Sequence, residues 1–302
     1  MTDTGPLASV VVAVHRDPRV RRLVASLGRQ TLPPQDYEVI IVENGSDDLA
    51  GIEGAHGIVR YAHLPVANSA AARNVGLGLA RGRFLLLTDA DCMARPDWAE
   101  KLTTGLATGT RNGVAAVGGS IVKHEPRTWA QRHAITIVDG QRGVSHLPAL
   151  HVPYVAGANA GYVTSTLREV GGFDEDLKSG NDVDVSYKLG LRGYRIVLVP
   201  DAVIEHEDRA TLPRHFRRFY RYAVYQVLLY AKYKRISGKR WVLDTYPLQR
   251  TAQALAAVPQ CAAGLARGNT EPASRAVLQL VEAAGVFCGD LSGAIRFRQP
   301  YL

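Results

Sequence analysis

Cysteine is scarce in this chain: three residues, Cys92, Cys261 and Cys288, occur in 302, with no paired spacing. Neither a disulfide framework nor a zinc site follows from that arrangement, and a reducing compartment is expected. Long apolar runs are missing as well. No stretch approaches the roughly 20 residues needed to cross a bilayer, and Met1 to Pro6 has neither the basic start nor the apolar centre of a signal peptide. A cytoplasmic protein is the expectation, soluble or peripheral at the inner face of the membrane. Internal repeats, low-complexity tracts and recognised nucleic-acid motifs are absent too, which argues against a nucleic-acid partner. What is present is ordinary globular material, 46% hydrophobic and 21% charged, with enough apolar residues for a sizeable core. The formal charge of +8 favours anionic partners. Basic residues concentrate between Arg209 and Arg240, whereas Asp89, Asp91, Asp174, Asp176, Asp182 and Asp184 cluster in the middle. That division favours a phosphate site with a metal over a duplex-binding surface.

The first 90 residues alternate β and α signals. Ser9 to Val14 is β-branched, Pro18 to Gln30 has helical spacing, Glu38 to Val42 is again strand-like, and Asn68 to Ala80 predicts a helix capped by Asn68 or Ser69 and stopped by Gly82. Phe84 to Thr88 predicts the next strand. Repeated β-then-α order implies a mostly parallel sheet with ligands at the carboxyl ends of its strands. His15-Arg16, Glu43-Asn44 and Asp89 to Asp91 fall at those ends. Beyond Gly113 the strands are shorter, Ala115 to Val117 and Ile121 to Val122, before an irregular segment to Leu150. Asp182 to Leu189 has helical spacing, and Arg195 to Val199 predicts a strand before Pro200. Three parts are expected: residues 1–112, residues 113–212, where the changed pattern is assigned to acceptor binding, and a helical region, 213–302.

Asp89 and Asp91 lie one residue apart at a strand end, so alternation sends both to one side. Oxygen ligands of this kind suit Mg²⁺ or Mn²⁺, which keep positions open for substrate phosphates. Around this pair stand Val42-Glu43-Asn44-Gly45-Ser46, Ala72-Arg73-Asn74-Val75-Gly76, Gly171-Gly172-Phe173-Asp174-Glu175 and Gly180-Asn181-Asp182-Val183-Asp184. In that order and spacing, from about Ala8 to Arg221, they resemble a family 2 glycosyltransferase of the GT-A fold. The resemblance implies an α/β fold with a Rossmann-like, mostly parallel central sheet flanked by helices and extended by C-terminal helices.

It also implies roles. His15, Glu43 and Asn44 would line the nucleobase pocket; Asn44 stands where the family often has Asp, which loosens the identity of the base. Arg73 would meet phosphate or base oxygens. Asp89 would face the ribose, Asp91 the metal, and His206 would be a further metal contact. Asp182 is the expected general base, with Asn181 in place of the usual glutamate and Asp184 a cap or an acceptor contact. Gly157-Ala158-Asn159-Ala160 would pass under the sugar. The activity implied is inverting, Mn²⁺- or Mg²⁺-dependent transfer of a single sugar from a nucleoside diphosphate sugar, UDP-linked by preference, to a hydroxyl acceptor. A cell-envelope glycan, a lipid-linked intermediate and a small natural product stand as acceptors. Abundant Ala and Arg point to a high-GC bacterial source.

After Pro213 an amphipathic stripe runs through Phe216, Phe219, Tyr220, Ala223, Val227 and Ala231, and Arg214, Arg217, Arg218 and Arg221 share the polar face. Arg218 and Arg221 are expected to close over the donor diphosphate; the alternative is anionic lipid, with Tyr220, Tyr222, Tyr225, Tyr230 and Tyr233 near the interface. The helical tail is expected to pack on the main domain or on a second copy. Two rivals stand beside the transferase. A nucleotidyltransferase wants a glycine-rich loop where His15-Arg16-Asp17-Pro18 stands, and a sugar-nucleotide or membrane-surface binder without turnover would have no use for Asp182.

Overall fold

The computed structural model describes residues 5–133, 144–146, 153–237 and 240–301. Its elements in chain order are β1 Ala8–Val14, α1 Val20–Leu27, β2 Tyr37–Asn44, β3 Val59–Leu64, α2 Ser69–Leu79, β4 Phe84–Thr88, β5 Cys92–Ala94, α3 Trp98–Gly109 and β6 Val114–Lys123, followed by α4 Trp129–His133, β7 Val144–His146, β8 Pro153–Val155, β9 Asn159–Val163, α5 Thr164–Glu169, α6 Asn181–Leu191 and β10 Arg195–His206. Four helices close the chain: α7 Leu212–Ser237, α8 Tyr246–Ala256, α9 Val258–Ala266 and α10 Glu271–Phe297. Two compact units are present, one made of residues 5–124, 144–146 and 153–206, the other of 125–133, 207–237 and 240–301.

The first unit is built on an eight-stranded sheet in the order β3-β2-β1-β4-β9-β6-β10-β5. Strands β1 to β4, β6 and β10 run parallel, while β9 and β5 run against them. Side-chain alternation assigns the two faces. Val10 and Val12 of β1 point with Ile41 and Leu86 into a layer shared with Leu23 of α1 and Leu102 of α3. Val11 points the other way, with Ile40, Leu85 and Leu87, toward Ala72 and Leu77 of α2 and Val185 and Leu189 of α6. Each such fully buried side chain contributes about 1.5–3 kcal/mol of burial, which sets the register.

The strand end at Pro200 differs from expectation. The chain continues to His206, and β10 pairs with β6 on both sides of a register shift between Val199 and Val203. Proline has no N–H to give the ladder, so the bulge absorbs it and the strand resumes. Asn159 was expected beneath a sugar; it is buried instead. Its Oδ1 accepts from Trp98 Nε1 at 2.8 Å, and its Nδ2 donates to Ser120 O and Ala202 O at 2.8 and 2.9 Å, tying α3, β6 and β10 together. The division expected at residue 112 falls inside this one sheet, and the irregular segment expected to reach Leu150 lies largely outside the described residues.

The second unit is helical. Along α10, Gly285, Gly289 and Gly293 lie against the α7 backbone; a Cβ at Gly289 would stand 2.4 Å from Tyr220 O. Small residues at this spacing let the two helices approach closely. Around the contact lie Phe219, Ala223 and Val286, and further along Val227, Tyr230 and Tyr301. Tyr225, Tyr230 and Tyr233 are therefore core residues of this unit, 7%, 0% and 6% exposed, and not the interfacial belt that their spacing invited.

Candidate functional site

The carboxyl ends of β1, β2, β4 and β10 deliver the polar side chains. Asp89 follows β4, and its carbonyl accepts from Cys92 N–H at 3.0 Å, which folds Asp89-Ala90-Asp91 into a tight turn. The chain then runs back as β5, where Cys92 stands opposite His206. That register brings the neighbouring Asp91 to the end of β10, with Asp91 Oδ1 3.6 Å from His206 Nε2. Both side chains are mostly covered, 8% and 12% exposed.

Arg73 of α2 lies behind Asp89. Its Nη2 donates to Asp89 Oδ1 at 3.0 Å and its Nη1 to Asn181 Oδ1 at 2.5 Å, and the guanidinium sits 5.8 Å from the Phe173 ring centre. Asn68 caps α2 by accepting from Ala70 N–H and Ala71 N–H at 3.0 and 3.2 Å, fixing the turn that carries Arg73. Asp182, in the first turn of α6, accepts from Gly157 N–H at 2.7 Å through Oδ2 and from Val183 N–H at 2.9 Å through Oδ1. Gly157 leaves room for this. A Cβ there would stand 2.9 Å from Arg73 Nη2. Arg73 thus links Asp89 to the residue beside Asp182, and β4, α2 and α6 meet at one point. Asp184 points elsewhere: fully buried, it pairs with Lys188 Nζ at 2.8 Å, and Lys188 also donates to Gly172 O.

The expected nucleobase residues are arranged differently from a row of contacts. Glu43 is fully buried. Its oxygens accept from Ser46 Oγ, Asp48 N–H, Leu49 N–H and Tyr61 Oη at 2.7 to 3.1 Å. Burial works to raise its pKa, but these bonds outweigh it and hold the carboxyl below its ordinary value. Asn44 donates to Val14 O at 2.7 Å, and His15 Nδ1 meets Asn44 O at 2.6 Å. Glu43 and Asn44 therefore shape the loop after β2 and clamp it to β1, while His15 is exposed at the strand end.

Arg218 differs too. It belongs to the helical unit, is 7% exposed, and its Nη1 donates to Asp208 Oδ1 at 3.0 Å, with the rings of Phe219 and Tyr222 within 6 Å. A guanidinium buried on a carboxylate is a structural partner in that unit. Arg221, three residues on, is exposed.

Sequence reading missed Arg19. Its Nη2 lies 2.6 Å from Asp17 Oδ2 and 3.5 Å from Asp91 Oδ2, so a fixed cation stands beside the pair Asp91 and His206. Arg16, in the same loop, has φ +48°, a sparsely populated conformation for a residue with a side chain. The Asp-Pro-Arg run at the head of a helix was the available signal, because an acid before the first turn holds a following arginine by local bonds.

A family model described as glycosyl transferase family 2 matches residues 9–171. A pre-mycofactocin glycosyltransferase of Mycobacterium tuberculosis is 34% identical over 213 residues, covering 68% of this chain and 43% of the relative. This chain thus spans less than half the length of that protein. Glycosyltransferase AglE of Haloferax volcanii is 27% identical over 219 residues, 69% of each chain. Among solved structures, a mannosyltransferase from Pyrobaculum calidifontis in complex with GDP-Man and Mn²⁺ superposes with a TM-score of 0.61 at 20% identity, over 95% of this chain and 87% of that one. GalNAc-T7 with UDP, GalNAc and Mn²⁺ gives 0.52 at 18% identity, over 67% and 43%. These likenesses identify the α/β architecture as GT-A, and with the family model covering more than half of the residues, the chain belongs to glycosyl transferase family 2.

Proposed function

We propose that this chain is an inverting, metal-dependent glycosyltransferase that moves one sugar from a nucleoside diphosphate sugar, UDP-linked by preference, to a hydroxyl acceptor. The observation that carries the reading is the meeting at one sheet end of Asp182, Arg73, Asp89 and the pair Asp91 and His206. Asp182 is held by two backbone N–H groups, which orient its carboxylate and leave lone pairs to take a proton. It would accept the proton of the acceptor hydroxyl as that oxygen bonds to the anomeric carbon, while the bond to the nucleotide breaks on the opposite side and the configuration inverts. No covalent sugar intermediate is needed.

A divalent ion fits the residues present. Cis ligands on an ion with bonds of about 2.1 Å stand roughly 3 Å apart, and the 3.6 Å between Asp91 Oδ1 and His206 Nε2 needs only a small adjustment. Among the described residues no group of three or more His, Cys, Asp or Glu stands together as ligands, so Asp91 and His206 would hold the ion with substrate oxygens supplying the remaining positions. Mn²⁺ or Mg²⁺ held there would supply Lewis-acid stabilisation of the departing diphosphate. Arg73 would orient donor oxygens, and Arg19 would add positive charge beside them. The solved complexes of the mannosyltransferase with GDP-Man and Mn²⁺ and of GalNAc-T7 with UDP and Mn²⁺ support this use of the fold.

The reading is tested by calorimetry with UDP, GDP, CDP and dTDP, each with Mn²⁺ and with chelator. One nucleotide is expected to bind in Mn²⁺ and to lose most of its affinity in chelator. Binding of none of them, or binding that ignores the chelator, would overturn the metal-dependent donor site.

A further inference from the structure

The surface of the helical unit combines two features. The first is exposed apolar area. Among the described residues, 13 of the 15 large hydrophobic side chains that are exposed lie in this unit. Eight of them fall in two stretches of the sequence. From Thr251 to Ala266, across α8 and α9, the sequence has no charged residue, and Leu255, Val258 and Leu265 are 64%, 56% and 56% exposed. Along α10, the exposed positions between Ala276 and Arg296 are Val277, Leu280, Ala284, Phe287, Cys288, Leu291 and Ile295, an uncharged stripe about 27 Å long at the rise of a helix. A groove of about 420 Å³, almost wholly apolar, opens beside its start between Leu212, Pro213 and Phe216 of α7 and Val277 and Leu280 of α10.

The second feature is the sign of the charge around them. From Glu207 to Leu302 there are 15 Lys and Arg against 6 Asp and Glu, while the preceding residues hold 21 against 22. The net positive charge of the chain therefore resides here. Of those six acids, Asp208, Glu282 and Asp290 are buried and only Glu271 is exposed, paired with Arg275 at 2.5 Å. Arg214, Arg217 and Arg221 are exposed on α7, Arg267 ends the charge-free tract, and Arg275, Arg296 and Arg298 flank the α10 stripe.

We propose that this face docks on an anionic phospholipid bilayer, with the α8–α9 tract and the α10 stripe in the headgroup and upper acyl region and the arginines on lipid phosphates. Contrary to the expectation that no stretch approaches a membrane span, helix α10 is long and apolar enough to cross a membrane by length and composition, but its glycine face is taken by α7, so it lies along the surface instead. A second copy fits this face less well. Association of two such surfaces would bring arginine against arginine, with almost no exposed carboxylate to answer them, whereas anionic headgroups complement every one. The arginines of α7 serve as the rim of this lipid-facing surface.

Cosedimentation of the full chain with vesicles tests this. Uptake by phosphatidylcholine vesicles containing about one third phosphatidylglycerol is expected to exceed uptake by pure phosphatidylcholine at least ~10-fold, and to fall in ~0.5 M salt. Leu255→Glu with Val258→Glu, and separately Phe287→Glu, are each expected to reduce uptake ~10-fold or more, with melting temperature and nucleotide binding unchanged. Wild-type protein that stays in the supernatant with both vesicles would overturn the proposal. So would a dimer in light scattering, broken by Phe287→Glu, in a protein that takes up no vesicles, because the face would then belong to a second copy.

Discussion

Two buried carboxylates, one in each unit, show how differently the halves of this molecule are built. Glu43, in the sheet unit, accepts from four donors, and its pKa is held low against the effect of burial. Asp290, on α10, is 2% exposed and neither of its oxygens has a hydrogen-bond partner. Burial, and then the charge of Asp244, push its pKa up to about 8. Apolar exposure follows the same division, with Val66 and Leu191 the exposed large hydrophobics of the sheet unit among the described residues. The sheet unit uses polar pairing to hold strand-end loops in one geometry, as a site for chemistry requires. The helical unit tolerates an unanswered carboxylate and an uncovered apolar surface.

The comparison can be broken or sharpened by substitution, beginning with the largest effect. Asp182→Asn is expected to lower kcat by about 10²–10⁴-fold while calorimetric donor affinity stays within a factor of a few; full activity would remove Asp182 as the base. Asp91→Ala should weaken Mn²⁺-dependent nucleotide binding about 10–100-fold, in the range seen for lost metal contacts, without changing the melting temperature of either unit. Glu43→Gln replaces one acceptor oxygen by a donor, against either the Asp48 or the Leu49 amide, which bond to different oxygens, and should cost about 1–3 kcal/mol of stability, read by denaturant unfolding. Because the Glu43 pKa is depressed in the folded state, its contribution is present above the unfolded value near 4.3 and is lost as pH falls through the folded value.

Asp290→Asn should act in the opposite sense and more weakly. A pKa of about 8 in the folded state, against ~3.9 unfolded, means that the folded form binds the extra proton between those values. Stability of the helical unit should therefore fall as pH rises from about 4 to 8, and the asparagine variant should flatten that slope, gaining roughly 1 kcal/mol or more at pH 8.5. If Glu43→Gln and Asp290→Asn shifted unfolding in the same direction at that pH, the contrast between the units would fail.

Strands β1, β2 and β4 were legible because each is a short β-branched or apolar run ending in a polar residue, and α2 because Asn68 caps it and Gly82 follows. Strand β9 was not. It reads Asn-Ala-Gly-Tyr-Val, with small residues where the chain passes between β4 and β6, and a Cβ at Gly161 would stand 3.0 Å from a Val117 methyl. Nor was α3, whose threonines and glycines blur its apolar stripe. In the site, Asp89, Asp91, Arg73 and Asp182 were singled out through the family resemblance that their ordered motifs carry. The work of Glu43 could not, because two of its partners are backbone amides of Asp48 and Leu49, which no residue pattern displays. Arg218 misled for a related reason: helical spacing placed it with Arg214, Arg217 and Arg221, while its partner Asp208 lies before the helix begins.

The pairing of Cys92 with His206 also dates the site within the life of the chain. Asp91 and His206 are 115 residues apart in sequence, and their approach depends on β10 joining the sheet beside β6 and then accepting β5 along its other edge. Closing so long a loop is slow relative to local helix formation. On a ribosome, the first 190 residues could assemble β1 to β4 and their helices, yet Asp91 would still wait for its histidine. Ion binding at the proposed pair would thus be a late event, and its onset would report completion of the sheet.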